Sequence, residues 1–215
     1  MAGQTPWQTT GPFFHFGLAW KGGADLTGDS QMGARPDLCA PGHDVLIEHR
    51  GSNRHLALGR RIELAGQVFD NTGAPATDTL IEIWQANAAG RYAHPEDRRS
   101  DVPVDPNFVG FGRCASDKGG QFRFRTIRPG CVPGPGNSLQ APHISLGMVG
   151  PGILKRLATR VYFSDAPENA EDPILALIPT ERRATLIATP EREGSNVYRF
   201  DIHLGGPSET VFFDF

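Results

Sequence analysis

Apolar and polar residues alternate along several short stretches of this chain. Over residues 62–69, Ile62, Leu64 and Val68 fall on one side and Glu63 and Gln67 on the other. A period of two is the signature of a half-buried strand. Residues 79–84 read as a second strand. Residues 121–127 alternate with Phe122 and Phe124 on one face. Residues 159–163, 184–188, 197–204 and 210–215 continue the series. The run 70–73 (DNTG) is a turn, since Asn and Gly tolerate left-handed backbone angles. At most one short helix is expected, around residues 174–178 within 167–179. At least seven short strands separated by turn residues predict an all-β, antiparallel β-sandwich with long loops and at most short helices.

The first 60 residues break the pattern. They are read as an extended N-terminal arm and irregular segment (1–60) ahead of one β-sandwich domain (61–215). The arm carries Trp7, Phe13, Phe14 and Phe16. Aromatics in an irregular segment need cover, either from the chain's own body or from a partner chain. Residues 85–119 and 128–158 are long for loops in one domain, and long loops usually carry function.

Composition narrows the classes. Gly and Pro number 26 and 18, roughly a fifth of the chain, which fits many turns. Net charge is -3, which argues against nucleic acid or an anionic membrane surface as partner. Cys39, Cys114 and Cys131 form no disulfide framework and suit a reducing cytoplasm. The N-terminus lacks the basic-then-apolar pattern of a signal peptide, and no apolar run approaches the length of a membrane span.

The two long loops carry the candidate chemistry. One holds Tyr92, His94, Glu96 and Asp97, flanked by Arg91, Arg98, Arg99 and Arg113. The other holds His143, with Cys131 twelve residues before it. A phenolate and an imidazole suit ferric iron. A packed or hydrogen-bonded structural residue is the default reading of each, and a solvated face that of the arginines, with an anion attractor as the alternative. No paired-histidine or paired-cysteine metal motif occurs, nor a phosphate or dinucleotide fingerprint.

Residues 64–73 (LAGQVFDNTG), 80–92 (LIEIWQANAAGRY), 105–114 (DPNFVGFGRC), 120–130 (GQFRFRTIRPG), 141–144 (APHI) and 198–202 (YRFDI) together resemble the intradiol ring-cleavage dioxygenase family. The likeness runs from about residue 5 to the C-terminus. It implies a β-sandwich and one non-haem ferric ion held by two tyrosines and two histidines. It also implies a catecholic substrate whose ring is opened with O2.

Position by position, this chain departs from that ligand set. Tyr92 and His143 stand at two ligand positions. Val132 stands where the second tyrosine is expected, Ser145 replaces the second histidine, and Gln140 replaces an arginine that stabilises charge. Some members of the family pair homologous alpha and beta chains, with the iron on the beta chain. The losses here, the closing residues 209–215 and the arm 5–13 resemble the alpha type. The resemblance then implies a chain that binds no metal itself. Its Thr9, Gly11 and Pro12 would line the substrate pocket of an iron-binding beta chain, within a larger hetero-oligomer. Pro151 falls where an arginine for the substrate carboxylate is expected, leaving Lys155 and Arg156 as neighbouring candidates. A self-sufficient dioxygenase with unusual ligands, and a non-enzymatic scaffold, are the alternative readings.

Overall fold

A computed structural model describes residues 23–28, 32 and 57–214. The expectations for Thr9, Gly11, Pro12 and Cys39 lie outside the described residues.

Eleven strands are present among them: β1 (Arg61–Phe69), β2 (Leu80–Trp84), β3 (Phe111–Ala115), β4 (Gln121–Ile127), β5 (Val132–Pro133), β6 (Leu139–Gln140), β7 (His143–Val149), β8 (Leu157–Phe163), β9 (Ile187–Pro190), β10 (Val197–Arg199) and β11 (Ile202–His203). Nine of them form one curled sheet running β11-β1-β10-β9-β8-β7-β2-β3, with β4 on the other side of β1. The outer strands β3 and β4 are successive in the chain, so the sheet nearly closes on itself. β5 and β6 make a separate hairpin.

The core lies between the two halves of this sheet. Ile62, Leu64 and Val68 of β1 and Phe122 and Phe124 of β4 meet Ile81 and Ile83 of β2, Ile144, Leu146 and Met148 of β7, and Val161 and Phe163 of β8. Each set occupies alternate positions, as a pleated strand requires. Residues 23–28 belong to this body: Asp25 bridges to Arg125, and Ala24 and Leu26 are in the core. Residues 23–28 are thus packed on the chain's own sheet.

The sandwich expectation holds, with local corrections. Most pairs are antiparallel, but β1 runs parallel to β10 and β11, and β8 to β9. Residues 210–214 make no strand: one bridge joins Phe213 to Ala158. Residues 197–204 split into β10 and β11: the Phe200 N–H still reaches the Ala65 carbonyl, but the Asp201 side chain then takes the Gln67 N–H at 2.9 Å. Residues 184–186 are a 3-10 turn, and β9 begins only at Ile187. Residues 167–179 hold two 3-10 turns, Pro167–Glu171 and Leu175–Leu177, followed by the single α-helical turn α1 (Thr180–Arg183). Both long loops contain strands, β3 in the first and β5 to β7 in the second.

Candidate functional site

On β7, Ile144, Leu146 and Met148 turn into the core, so His143 and Ser145 turn the other way. Register then fixes their neighbours. Ser145 stands between Trp84 of β2 and Arg160 of β8, and His143 stands opposite Tyr162. This outer face is the floor of a cavity of about 900 Å3. Its walls come from the two long connections: Tyr92, His94, Glu96, Asp97, Arg98 and Arg99 from one, and Val132, Pro133 and Gln140 from the other.

Two close backbone approaches bring those walls together. Gly90 has φ +81°, and a Cβ there would lie 1.9 Å from the Cys131 carbonyl oxygen. A Cβ on Gly130 would lie 2.5 Å from the Ala88 carbonyl oxygen. Only glycine permits contact this close. Asn87 reinforces the first wall: its side-chain oxygen accepts from the N–H groups of Ala89 and Arg91, both at 2.9 Å.

Asp97 organises the loop that carries Tyr92. Its carboxylate accepts from Arg99 at 2.6 Å and from the Tyr92 backbone N–H at 2.9 Å. The Arg99 hydrogen bond holds the Asp97 carboxyl well below the usual carboxylate range. The Tyr92 ring stacks on Trp84, with centroids 5.9 Å apart and planes 8° apart. Burial pushes the Tyr92 phenol up. Its hydroxyl makes no hydrogen bond among the described residues.

Behind the floor, buried Asp172 ties several segments. It accepts from the Ala141 N–H at 2.7 Å, the Leu175 N–H at 2.7 Å, the Ile174 N–H at 2.9 Å and the Tyr162 hydroxyl at 3.1 Å. The Tyr162 phenol is pushed up to about 12, chiefly by burial. His143 is 4% exposed. Its Nδ1 donates to the Ala141 carbonyl at 2.8 Å, since a carbonyl can only accept. Burial first, and the Arg160 charge second, push its pKa down to about 4. The ring is therefore neutral near pH 7, with Nε2 as an acceptor.

The five positions compared with the family pattern (Tyr92, Val132, Gln140, His143 and Ser145) line one cavity, together with His94, Glu96, Asp97, Arg98 and Arg99 of the first loop. Cys131 does not. Nor do Pro151, Lys155 and Arg156: Lys155 is paired with Asp214 at 2.7 Å and Arg156 with Glu82 at 3.3 Å. Arg113 is paired with Glu82, and Arg91 donates to the Asp97 and Val102 carbonyls, so neither is a free anion attractor. Trp84 and Arg160 went unremarked in the sequence. The signal for Arg160 was a lone charge inside the apolar run 159–163.

The donor set does not fit a ferric ion. Of the four positions that the resemblance implies as ligands, Val132 offers no lone pair and Ser145 only a neutral hydroxyl. Arg160 adds a fixed positive charge to the same cavity, where a cation would be repelled.

Residues 40–206 match the profile of the family described as Dioxygenase. The chain is 39% identical over 98% of its length to the protocatechuate 3,4-dioxygenase alpha chain of Burkholderia cepacia, covering 97% of that protein. It is 43% identical to the beta chain from the same organism over 71% of this chain and 68% of that one. Among solved structures it resembles the dioxygenase domain of a dioxygenase carbohydrate-binding protein fusion from Streptomyces sp. SirexAA-E. That match has a TM-score of 0.53 and 27% identity, and covers 70% of this chain and 82% of that one.

Proposed function

We propose, from the fact that this chain belongs to the intradiol ring-cleaving dioxygenase family, that it is the alpha-type subunit of a protocatechuate 3,4-dioxygenase. The family depends on non-haem ferric iron. In this reading the iron is held by a homologous beta chain, which retains the two tyrosines and two histidines. The complex cleaves 3,4-dihydroxybenzoate with O2 to 3-carboxy-cis,cis-muconate in aromatic catabolism. This chain contributes a wall of that site and binds no iron of its own.

One observation carries the reading: Val132 and Ser145 sit beside Tyr92 and His143 in a single cavity. The four positions that the resemblance assigns as ligands meet in one cavity, yet two of them carry side chains that cannot replace a phenolate or an imidazole. Similarity along nearly the whole chain to an alpha chain supports the same assignment.

The wall is assigned to Thr9, Gly11 and Pro12. Gly11 lets backbone approach a flat ring with no Cβ between them, and Pro12 fixes the neighbouring backbone angle. Such a wall orients the substrate while the partner's metal supplies the chemistry. A cytoplasmic location and a hetero-oligomer of alpha/beta pairs complete the proposal. No helix among the described residues is long and apolar enough to cross a membrane.

Co-expression with an iron-binding beta chain is the test. The pair should co-purify and consume O2 when protocatechuate is added, and this chain alone should not. Gly11→Val in the pair should raise KM more than it lowers kcat. Protocatechuate turnover by this chain alone would overturn the assignment.

A further inference from the structure

The cavity that lacks a metal-ligand set is nevertheless built for something. Among the described residues lining it, the one guanidinium without a carboxylate partner is Arg160. Among the described residues, Arg99 is held by Asp97 and Arg98 lies 3.5 Å from Glu96, whereas Arg160 makes no ion pair. Its Nη1 donates to the Gln140 side-chain oxygen and lies 3.5 Å from the Tyr162 hydroxyl. Its Nε and Nη2 have no hydrogen-bond partner among the described residues. Those two groups form one edge of the guanidinium fork, the edge that takes a carboxylate through two parallel hydrogen bonds. The Phe213 ring, 5.9 Å from the guanidinium carbon, backs the group and limits its hydration.

The rest of the cavity has the shape and polarity for a flat ring. Trp84 and Tyr92 form a stacked aromatic pair in the wall, with Val132 and Pro133 as further apolar lining. A volume of about 900 Å3 is ample for a single-ring ligand. The neutral polar groups are an imidazole with an acceptor nitrogen, His143, and a hydroxyl, Ser145, both able to bond ring substituents.

We propose that this cavity is a binding site for a planar aromatic carboxylate, with Arg160 holding the carboxylate and the Trp84–Tyr92 wall holding the ring. Binding involves no covalent step and no metal. Within an alpha/beta assembly it gives each pair a second place for an aromatic acid, on the chain without iron. The same chemistry describes an aromatic acid awaiting turnover and one acting as an effector, and kinetics with the iron-loaded pair separates them.

The probe is 4-fluorobenzoate, followed by 19F NMR on the assembled, iron-loaded protein. A molecule bound beside high-spin ferric iron is broadened, and one bound in this cavity is not. The expected result is a saturable, narrow, shifted resonance in addition to any broadened one. Arg160→Gln should weaken the narrow site by about tenfold or more, leaving iron content and the broadened site unchanged. Arg160→Lys should fall between the two. Should Arg160→Gln fail to assemble, two further ligands on the unmodified protein decide. Benzamide tests the charge and cyclohexanecarboxylate the flat ring, and each should bind less tightly than benzoate. Dependence of turnover rate on occupancy of the narrow site marks an effector, and its absence a holding site.

No narrow saturable resonance, or one unaffected by Arg160 substitution and equally strong with benzamide, overturns the proposal. The subunit assignment fails by a different sign: iron found on this chain, with the broadened resonance following it.

Discussion

Arg160 donates a hydrogen bond to the side-chain oxygen of Gln140, and the Gln140 amide donates in turn to the Pro133 carbonyl at 2.7 Å. The position where the family places an arginine thus holds a carboxamide, and a guanidinium reaches the same place from β8. Gln140 and Arg160 are physically linked: one cation fills a space that two would contest.

Gln140→Arg is therefore expected to destabilise the chain. It removes both hydrogen bonds and sets two guanidinium groups together, at a cost of about 1–2 kcal/mol. Thermal melts of the two proteins under the same buffer check this. An equal or higher Tm for the variant would show that the pairing is incidental.

His143 makes folding stability depend on pH. Its folded pKa, about 4, lies below the ordinary 6.5, so between those values the unfolded chain binds the extra proton. Stability from this group is complete above about pH 6.5 and is lost as pH falls toward 4, by about 3 kcal/mol in all. Denaturant titrations across that window should show the slope, and His143→Gln should flatten it. An unchanged slope in the variant would place the dependence elsewhere.

The ring of Tyr92, and not its hydroxyl, holds the first long loop to Trp84. Tyr92→Phe should alter stability by less than ~0.5 kcal/mol. Tyr92→Ala should cost about 2 kcal/mol through the lost stack and burial. Chemical denaturation of both variants distinguishes them. A large loss in Tyr92→Phe would point to a hydroxyl partner beyond the described residues.

Gly90 is the hinge on which the cavity closes. Alanine there would meet the Cys131 carbonyl and adopt a positive φ, so Gly90→Ala should cost ~3 kcal/mol or more. Gly73 supplies the control. It also has positive φ, but nothing lies within 4 Å of its would-be Cβ, so Gly73→Ala should cost about 1 kcal/mol. Comparable losses at both sites would mean that backbone angle, and not the contact between the walls, dominates.

Much of this fold was legible from alternation alone. β1, β2 and β4 read directly, since burial falls mainly on one face, and residues 159–163 of β8 read as a strand although Tyr162 is buried on the face opposite Val161 and Phe163. β7 was hidden. His143, Ile144, Leu146, Gly147 and Met148 are all buried, so both faces are covered and the period of two disappears. β3 was hidden by Gly112, whose missing side chain makes room for Leu26. The apolar run Val211, Phe212 and Phe213 misled in the opposite sense, since it packs without a ladder: Phe213 joins a small cluster with Tyr162 and Leu175. The cavity's membership came from family resemblance, which brought Tyr92, Val132, Gln140, His143 and Ser145 together. Periodicity could not do this, because their convergence depends on strand register and on Gly90 meeting Cys131. Arg160 and Trp84 escaped both routes.

The central claim is that this chain holds no iron. The most direct measurement is metal content with a visible spectrum, on the chain purified alone after exposure to iron under reducing and then aerobic conditions. Iron should be near zero per chain, with no tyrosinate-to-iron absorption band, because Val132 and Ser145 leave the ligand set two short and Arg160 repels a cation. About one iron per chain, with the burgundy colour of a tyrosinate complex, would contradict the account.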